Sequence, residues 1–422
     1  VATAKPASHA KSLSAEDLLD AGGLADRQLA NDRARTRRFP DLFAHKLQRM
    51  TASPLAFLRG AAPLFYEMLA ARPDLAEGPP GEGWLVGDLH LENFGAYRPD
   101  VFADHPDGKK RPAVFDLNDF DDTLVGPWRF DVLRLMTSLL LGGRDLGASG
   151  LVALDLVEHL IDAWDAAVFD GRPRPRPPPP VEQLLEQVRS RTRAALLDAR
   201  SEVVNGKRRF VRGPRYADLP DDVLAAVPSA FEAYLASVQE ADRPQKGSLT
   251  IVDAALRIAG TGSLGGLRIA VLVEGKGGPN GAWIFDLKEQ GTPSASVLLP
   301  TPSMAPAVRV CTGFRSCVEH PPRVMGATHL GKASMFGRRL APQEDKLALK
   351  RLRGEDLPTL AAYLGALLGT AHRRGATKPP TARWSKSDRD HLRVNAMTLA
   401  GIHEAVYLTL CDRTRRILSR TA

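Results

Sequence analysis

A chain of 422 residues, 44% hydrophobic and 25% charged, is long enough to bury a sizeable core and to divide into two lobes. It holds no apolar run of membrane-spanning length, its first residues (VATAKPASHAKS) lack a signal-peptide core, and Cys311, Cys317 and Cys411 make neither a CxxC pair nor a disulfide framework. We therefore expect a cytoplasmic protein with no membrane partner and no zinc.

The net charge of +8 fits either nucleic-acid binding or an enzyme with phosphorylated substrates. Much of the excess lies in DRARTRR (32–38) and KRRFVRGPR (207–215). Neither run sits in a zinc-finger, RRM or bZIP pattern, so both read as solvated faces and nucleic acid is not the expected partner.

Residues 1–12 read as a disordered tail, and Leu13 to Ala70 as helical, with AFLRGAAPLFYEMLA the clearest amphipathic stretch. WLVG (84–87) and AVFDL (113–117) read as short buried strands, and RFDVLRLMTSLLLGG (129–143) as an apolar helix closed by glycine. GRPRPRPPPP (171–180) is a linker signal, with helices expected from there to about residue 241. SLTIVDAALRIAG, GLRIAVLVEG and GAWIFDLKEQ are β-branched runs broken by glycines, read as at least three antiparallel strands. After Pro306 helices return, including 357–374 and a C-terminal one from Ser387.

Two loops carry the chemistry. GDLHLENFG (87–95) puts Asp88 and Asn93 on one tight turn after a strand, with His90 between them. Phosphoryl transfer needs a carboxylate to orient the attacking hydroxyl and an oxygen ligand for Mg²⁺. NDFDDTLVGPWRFD then crowds Asp119, Asp121 and Asp122, a grouping that is costly unless a cation neutralises it. The alternatives are a polar loop with an Asx-turn for the first and a solvated acidic turn for the second.

These motifs resemble the catalytic and metal loops of aminoglycoside phosphotransferases, H-G-D-x-x-x-x-N followed by I-D-x-x-D, Gly and a helix opening D-L. The resemblance implies Asp88 as catalytic base, and Asn93 and Asp119 as metal ligands. Asp122, Gly126 and Asp131 take the later positions, and Asp116 is a less well-spaced metal candidate. One departure is Val86, where those kinases carry a histidine. RMTASPLAFLRGAAPLFY, GDLHLENFG and NDFDDTLVGPWRFDVLRL are similar to signatures of an uncharacterised bacterial kinase-like family. Arg59, in the FLRG signature, is a candidate for substrate contact or bracing.

A kinase-like site also needs an ATP lobe. Gly260, Gly262 and Gly265 form G-x-G-x-x-G between two expected strands, and Lys288 on the next strand takes the place of the phosphate-binding lysine. A Rossmann reading would need a helix after the glycines, with Asp286 at the ribose distance. Glu319 is the best candidate partner for Lys288; MFGRRLAP (335–342) is a candidate hinge, and 357–374 resembles the helix that runs into the catalytic loop.

The expectation is an α+β, protein-kinase-like fold in circularly permuted order. Its parts are a helical C-lobe portion (13–241), a β-rich ATP-binding N-lobe with hinge (242–342) and the remaining C-lobe (343–422). Its expected function is ATP/Mg²⁺-dependent phosphotransfer to a hydroxyl of an unidentified acceptor. The alternatives are a nucleotide-binding pseudokinase or a basic nucleic-acid-binding protein.

Overall fold

The computed structural model describes residues 12–99, 113–143, 145–245, 249–275, 278–322 and 324–419, so the tail expected at 1–12 lies, apart from residue 12, outside them. The first region folds into the helices Ala21–Arg35, Leu42–Met50, Pro54–Gly60 and Ala62–Ala71. Asp20 caps the first by accepting from Gly22 N–H; Ser53 caps the third, with Pro54 where a missing N–H costs nothing. AFLRGAAPLFYEMLA is two helices broken at Ala61, and Leu55, Phe57, Leu58, Leu64, Phe65, Tyr66, Met68 and Leu69 are all buried. They are enclosed because the long helix Lys386–Leu418, opened by a Ser385–Asp388 capping box, packs across Ala21–Arg35, Pro54–Gly60 and Arg129–Gly142.

Two small antiparallel sheets hold the loops singled out by sequence. In one, Glu82–Leu85 lies between Ala376–Lys378 and Leu124–Pro127; in the other, Phe94–Tyr97 lies between Asp345–Lys346 and Val114–Leu117. The helix Leu357–Arg374 ends against the strand that enters Asp88, where Trp84 N–H donates to Gly375 O at 2.9 Å.

A larger antiparallel sheet has the order Gly326–Leu330, Ala333–Arg339, Gly278–Gln290, Arg268–Gly275, Thr250–Arg257, Tyr216–Ala217. Alternation sorts its residues. Ile269, Val271, Val273, Phe285, Leu287 and Met335 pack under the helix Asp221–Ser237 through Val227, Phe231 and Tyr234. Ala255, Ala270, Leu272 and Ile284 face the other way, beneath Leu197, Phe210 and Tyr216. The strands flanking the glycines pair antiparallel, so the parallel Rossmann arrangement is excluded for this region. The chain is an α+β protein. Among the described residues no helix is long and apolar enough to cross a membrane.

Four expectations are corrected. Residues 201–210 are not helical but a hairpin, Ser201–Val204 with Lys207–Phe210, turning at Asn205 (φ 51°) and Gly206 (φ 76°). Because this hairpin, Tyr216–Ala217 and the helix Asp221–Ser237 all pack with the large sheet, the β-rich body begins well before residue 242. Residues 335–339 of the expected hinge are strand interior, and the chain crosses to the other sheet at 340–346. The proline run ends inside a helix, Pro179–Arg189, since proline suits the first turn.

Candidate functional site

Between the large sheet and the helices lies a cleft of about 660 Å³. It gathers Arg59, Asp88, His90, Asn93, Asp119, Asp122, Gly260, Gly262 and Lys288 from distant parts of the chain. Gly265, Asp116 and Glu319 do not line it.

The Asp88 turn is braced from behind. Gly87 has φ 87°, and a Cβ there would meet Asp122 O at 2.2 Å, so only glycine fits. Val86 N–H and Gly87 N–H donate to the two carboxylate oxygens of buried Asp131, at 2.7 and 3.0 Å. His372 Nε2 meets Asp131 Oδ2 at 3.1 Å, while its Nδ1 accepts from the Trp164 indole at 3.1 Å, which puts the ring proton on Nε2. His90 Nδ1 accepts from Glu92 N–H at 3.1 Å, and Asn93 Oδ1 accepts from His90 N–H at 2.7 Å. Burial, then Arg59, keep the His90 ring well below its ordinary range, so it is a neutral cap. Arg59 pairs with Glu92 at 2.7 Å on the same turn.

Asp88 is tied to Arg134, a fully buried guanidinium that also donates to Leu58 O at 2.9 Å and lies 4.7 Å over the Phe65 ring. Burial pushes Asp88 up to about 7 against the pull of Arg134, and the nearby Asp122 charge adds to the rise. Its side chain keeps 27% of its surface open to the cleft. A carboxylate poised near neutrality and reachable from a cleft is suited to handling a proton.

Opposite it, Lys288 bonds Asp121 directly and stands 3.9 Å from Asp119 Oδ2. Burial would raise Asp119, but Lys288, Lys346 and Arg268 outweigh it and hold the carboxyl below its usual range. Burial and then Asp119 push Asp121 up, and burial likewise raises Asp122. Asp122 Oδ1 accepts from Ser294 N–H at 3.0 Å, while Oδ2 is buried without a hydrogen-bond partner.

The glycine loop folds over this floor. A Cβ on Gly262 would lie 2.8 Å from Arg59 O and 3.7 Å from Asp88 Oδ2. The buried Lys46 ammonium donates to Thr261 O at 2.9 Å and Gly262 O at 2.8 Å, and Arg49 donates to Gly260 O. Asp32 faces Lys46 at 3.5 Å, and burial lowers the lysine while raising the aspartate. Gly265 instead packs against Arg35 O and Thr36.

A family model described as "uncharacterized protein conserved in bacteria (DUF2252)" matches residues 38–402. The chain belongs to that family. No curated protein and no solved structure matches it. The family span takes in Lys46, Asp88, Asp119 and Lys288, whereas Asp32 precedes it.

Two sequence candidates need correction. Asp116 does not reach the cleft and is instead in a 2.7 Å ion pair with Arg174 of the proline run. Glu319 is exposed beyond the helix Pro306–Cys317; that helix offers Arg309, which donates to Thr123 O, to Asp121 O at 3.0 Å and to Gly291 O at 2.9 Å. The partner of Lys288 is Asp121. Sequence reasoning also missed Lys46, Arg134 and His372. The departure at Val86 was the one available signal for His372, since a loop lacking its local histidine needs another brace.

The basic runs are spent partly inside the protein. Arg35 lines the cleft, Arg38 pairs with Glu289 at 3.0 Å, and Arg208 is buried against Pro279 O and Asp198.

Proposed function

We propose that this cleft is an ATP-dependent phosphotransfer site of the kinase-like type, with the two lobes in circularly permuted order. The observation that carries the reading is the meeting of Lys288 with Asp119 at 3.9 Å beneath a glycine loop that closes on Asp88. These are the parts that positioning and charge neutralisation of a phosphoryl group require. The contact between Gly375 and Trp84 supports the permutation, since it joins in space two points that an unpermuted chain would join covalently.

In this reading Asp88 orients the acceptor hydroxyl and receives its proton, and Arg134 fixes the carboxylate. Lys288 and the loop amides at 260–263 hold phosphate oxygens, and the small residues at Gly260 and Gly262 let the backbone come close. The site suits Mg²⁺: Asp119 offers hard oxygens and Asp122 Oδ2 is a buried atom without a partner. Among the described residues no group of three or more His, Cys, Asp or Glu side chains forms a metal cage. Mg²⁺ asks for none, binding through one or two carboxylates together with phosphate oxygens and water. When bound it would neutralise charge on the transferred group. Asn93 is a weaker ligand candidate because its Oδ1 already accepts from His90 N–H.

The direct test is ATP with Mg²⁺ in a melting experiment, followed by ADP release. A ligand that binds only the folded state raises its melting temperature. No shift at millimolar ATP would remove the proposal.

A further inference from the structure

Resting on the phosphotransfer reading, we propose that the donor is recognised by its polyphosphate chain and not by its base, in an inner slot formed by Arg257, Arg268 and Arg338 beside Lys288. The slot follows from sheet register. Lys288 pairs with Arg268, and Leu256 with Ile269, which sets Arg257 next to Arg268. Arg257, Arg268 and Lys288 thus form one row across three neighbouring strands. Asp286 pairs with Arg338 in the next row of the same face. All the cations named line the cleft.

Like charges side by side across a sheet repel, so such a row needs counter-charge. Asp286 supplies some of it: Arg268 holds it through Nε at 2.9 Å and Arg257 Nη1 stands 2.6 Å away. Glu344 answers Arg338 at 3.0 Å. Arg200 also lines the cleft and adds positive charge at Arg257, while Asp119 and Asp121 offset part of the charge on Arg268. Arg257 carries the surplus. Its Nε is buried without a hydrogen-bond partner, and burial followed by Arg268 hold its guanidinium down to about 10. A phosphate chain supplies both the acceptors and the negative charge that this end lacks.

The same cleft is poorly made for a base. Pockets for flat aromatic ligands are lined mainly by apolar and aromatic side chains. Among the described lining residues the largest apolar side chain is Val86, with no phenylalanine, tyrosine, tryptophan, leucine, isoleucine or methionine. The apolar part of the sheet face, Ala255, Ala270, Leu272 and Ile284, is already covered by Leu197, Phe210 and Tyr216.

The test is displacement of a fluorescent ATP analogue from the full chain with Mg²⁺, using ATP, GTP, CTP, inorganic tripolyphosphate and adenosine as competitors. The three nucleotides and tripolyphosphate should compete within about tenfold of one another, and adenosine should not compete at millimolar concentration. Arg257→Gln, folded by circular dichroism, should weaken all of them together by about tenfold or more. Selectivity for ATP over GTP and CTP of about a hundredfold, competition by adenosine, or unchanged binding in Arg257→Gln would overturn the inference while leaving phosphotransfer standing. Should Arg257→Gln not fold, Arg338→Gln takes its place; should neither fold, the wild-type panel decides alone. If the ATP analogue does not bind at all, the phosphotransfer reading falls. Calorimetry with tripolyphosphate then judges the slot by itself: binding lost in Arg257→Gln keeps it, and no binding ends it.

Discussion

The two walls of the cleft are built in opposite ways. One comes from a single stretch, residues 82–131, where a strand, a capped turn, an antiparallel strand pair and a helix start place Asp88, Asp119 and Asp122. The facing wall takes Arg257, Arg268, Lys288 and Arg338 from four strands, and nothing in the local spacing of any one strand marks them as neighbours. A motif held by its own turns stays readable along the chain. A row held by strand register does not, because pairing decides which distant residues share a face. The first wall was therefore expected with its acids named, and the second was expected only through its glycines and one lysine.

The sharpest way to break the first wall is Asp119→Ala. Mg²⁺-dependent turnover should disappear, with little change in melting temperature, since Asp119 lies on a partly open loop. Retained turnover at high Mg²⁺ would shift the metal role to Asp122, whose Oδ2 is the unpartnered oxygen.

Asp88→Asn should lower kcat by roughly a thousandfold while ATP binding persists, the scale of losing a positioned base. Wild-type kcat/KM should rise with pH through about 7 as Asp88 ionises. Folding raises this carboxyl from 3.8 to about 7, so the native state binds a proton the unfolded state has released. Stability contributed by the protonated form is thus lost as pH climbs through that window. Asp88→Asn, neutral throughout and still able to accept from Arg134, should melt higher than wild type at pH 8, with the gap closing toward about pH 4. A gap that widens on acidification would mean that Asp88 is ionised well below neutrality.

A smaller effect is expected where the helical region clasps the glycine loop. Lys46→Met removes the two bonds to Thr261 O and Gly262 O, and the charge facing buried Asp32, but keeps the stem's volume. The KM for ATP should rise by about tenfold with kcat changed less, because the loop still covers the site but is no longer held in register. A fall in melting temperature with unaltered KM would make Lys46 a packing residue alone. This residue was out of reach of sequence reasoning. Its helix was expected, yet an internal lysine reads as solvent-facing until the chain folds a carbonyl pair onto it.

What remained legible and what did not divides along the same physical line. The helices, the three central strands and the glycine hairpin follow from periodicity and breakers. The hairpin at 201–210 carried a plain signal, Asn205–Gly206 directly after the β-branched pair Val203–Val204, that the charge of Lys207, Arg208 and Arg209 obscured. Glu319 was chosen for its place at a helix end. The structure ends that helix at Cys317 and lets an arginine from its first turns, Arg309, reach the loop carbonyls.

The least effect on activity, and the cleanest contrast, is expected at Asp116. Spacing allowed it as a metal ligand beside Asp119, but its carboxylate is buried against Arg174 and accepts from Leu117 N–H at 2.8 Å. Burial is the larger influence and raises it, with Arg174 pulling the other way, so the pair is a structural clamp tying the proline run to the small sheet. Asp116→Asn keeps one of the two acceptor oxygens, so either Leu117 N–H or Arg174 loses its partner, and the half-buried arginine loses its counter-charge. The cost should be about 1–3 kcal/mol, read as an earlier midpoint in urea with an unchanged slope. Turnover per folded molecule should stay within about twofold of wild type, well under the 1.4 kcal/mol that a tenfold change represents. Loss of Mg²⁺-dependent turnover matching that of Asp119→Ala would instead place Asp116 at the metal. The clamp would then have to open before the site could work.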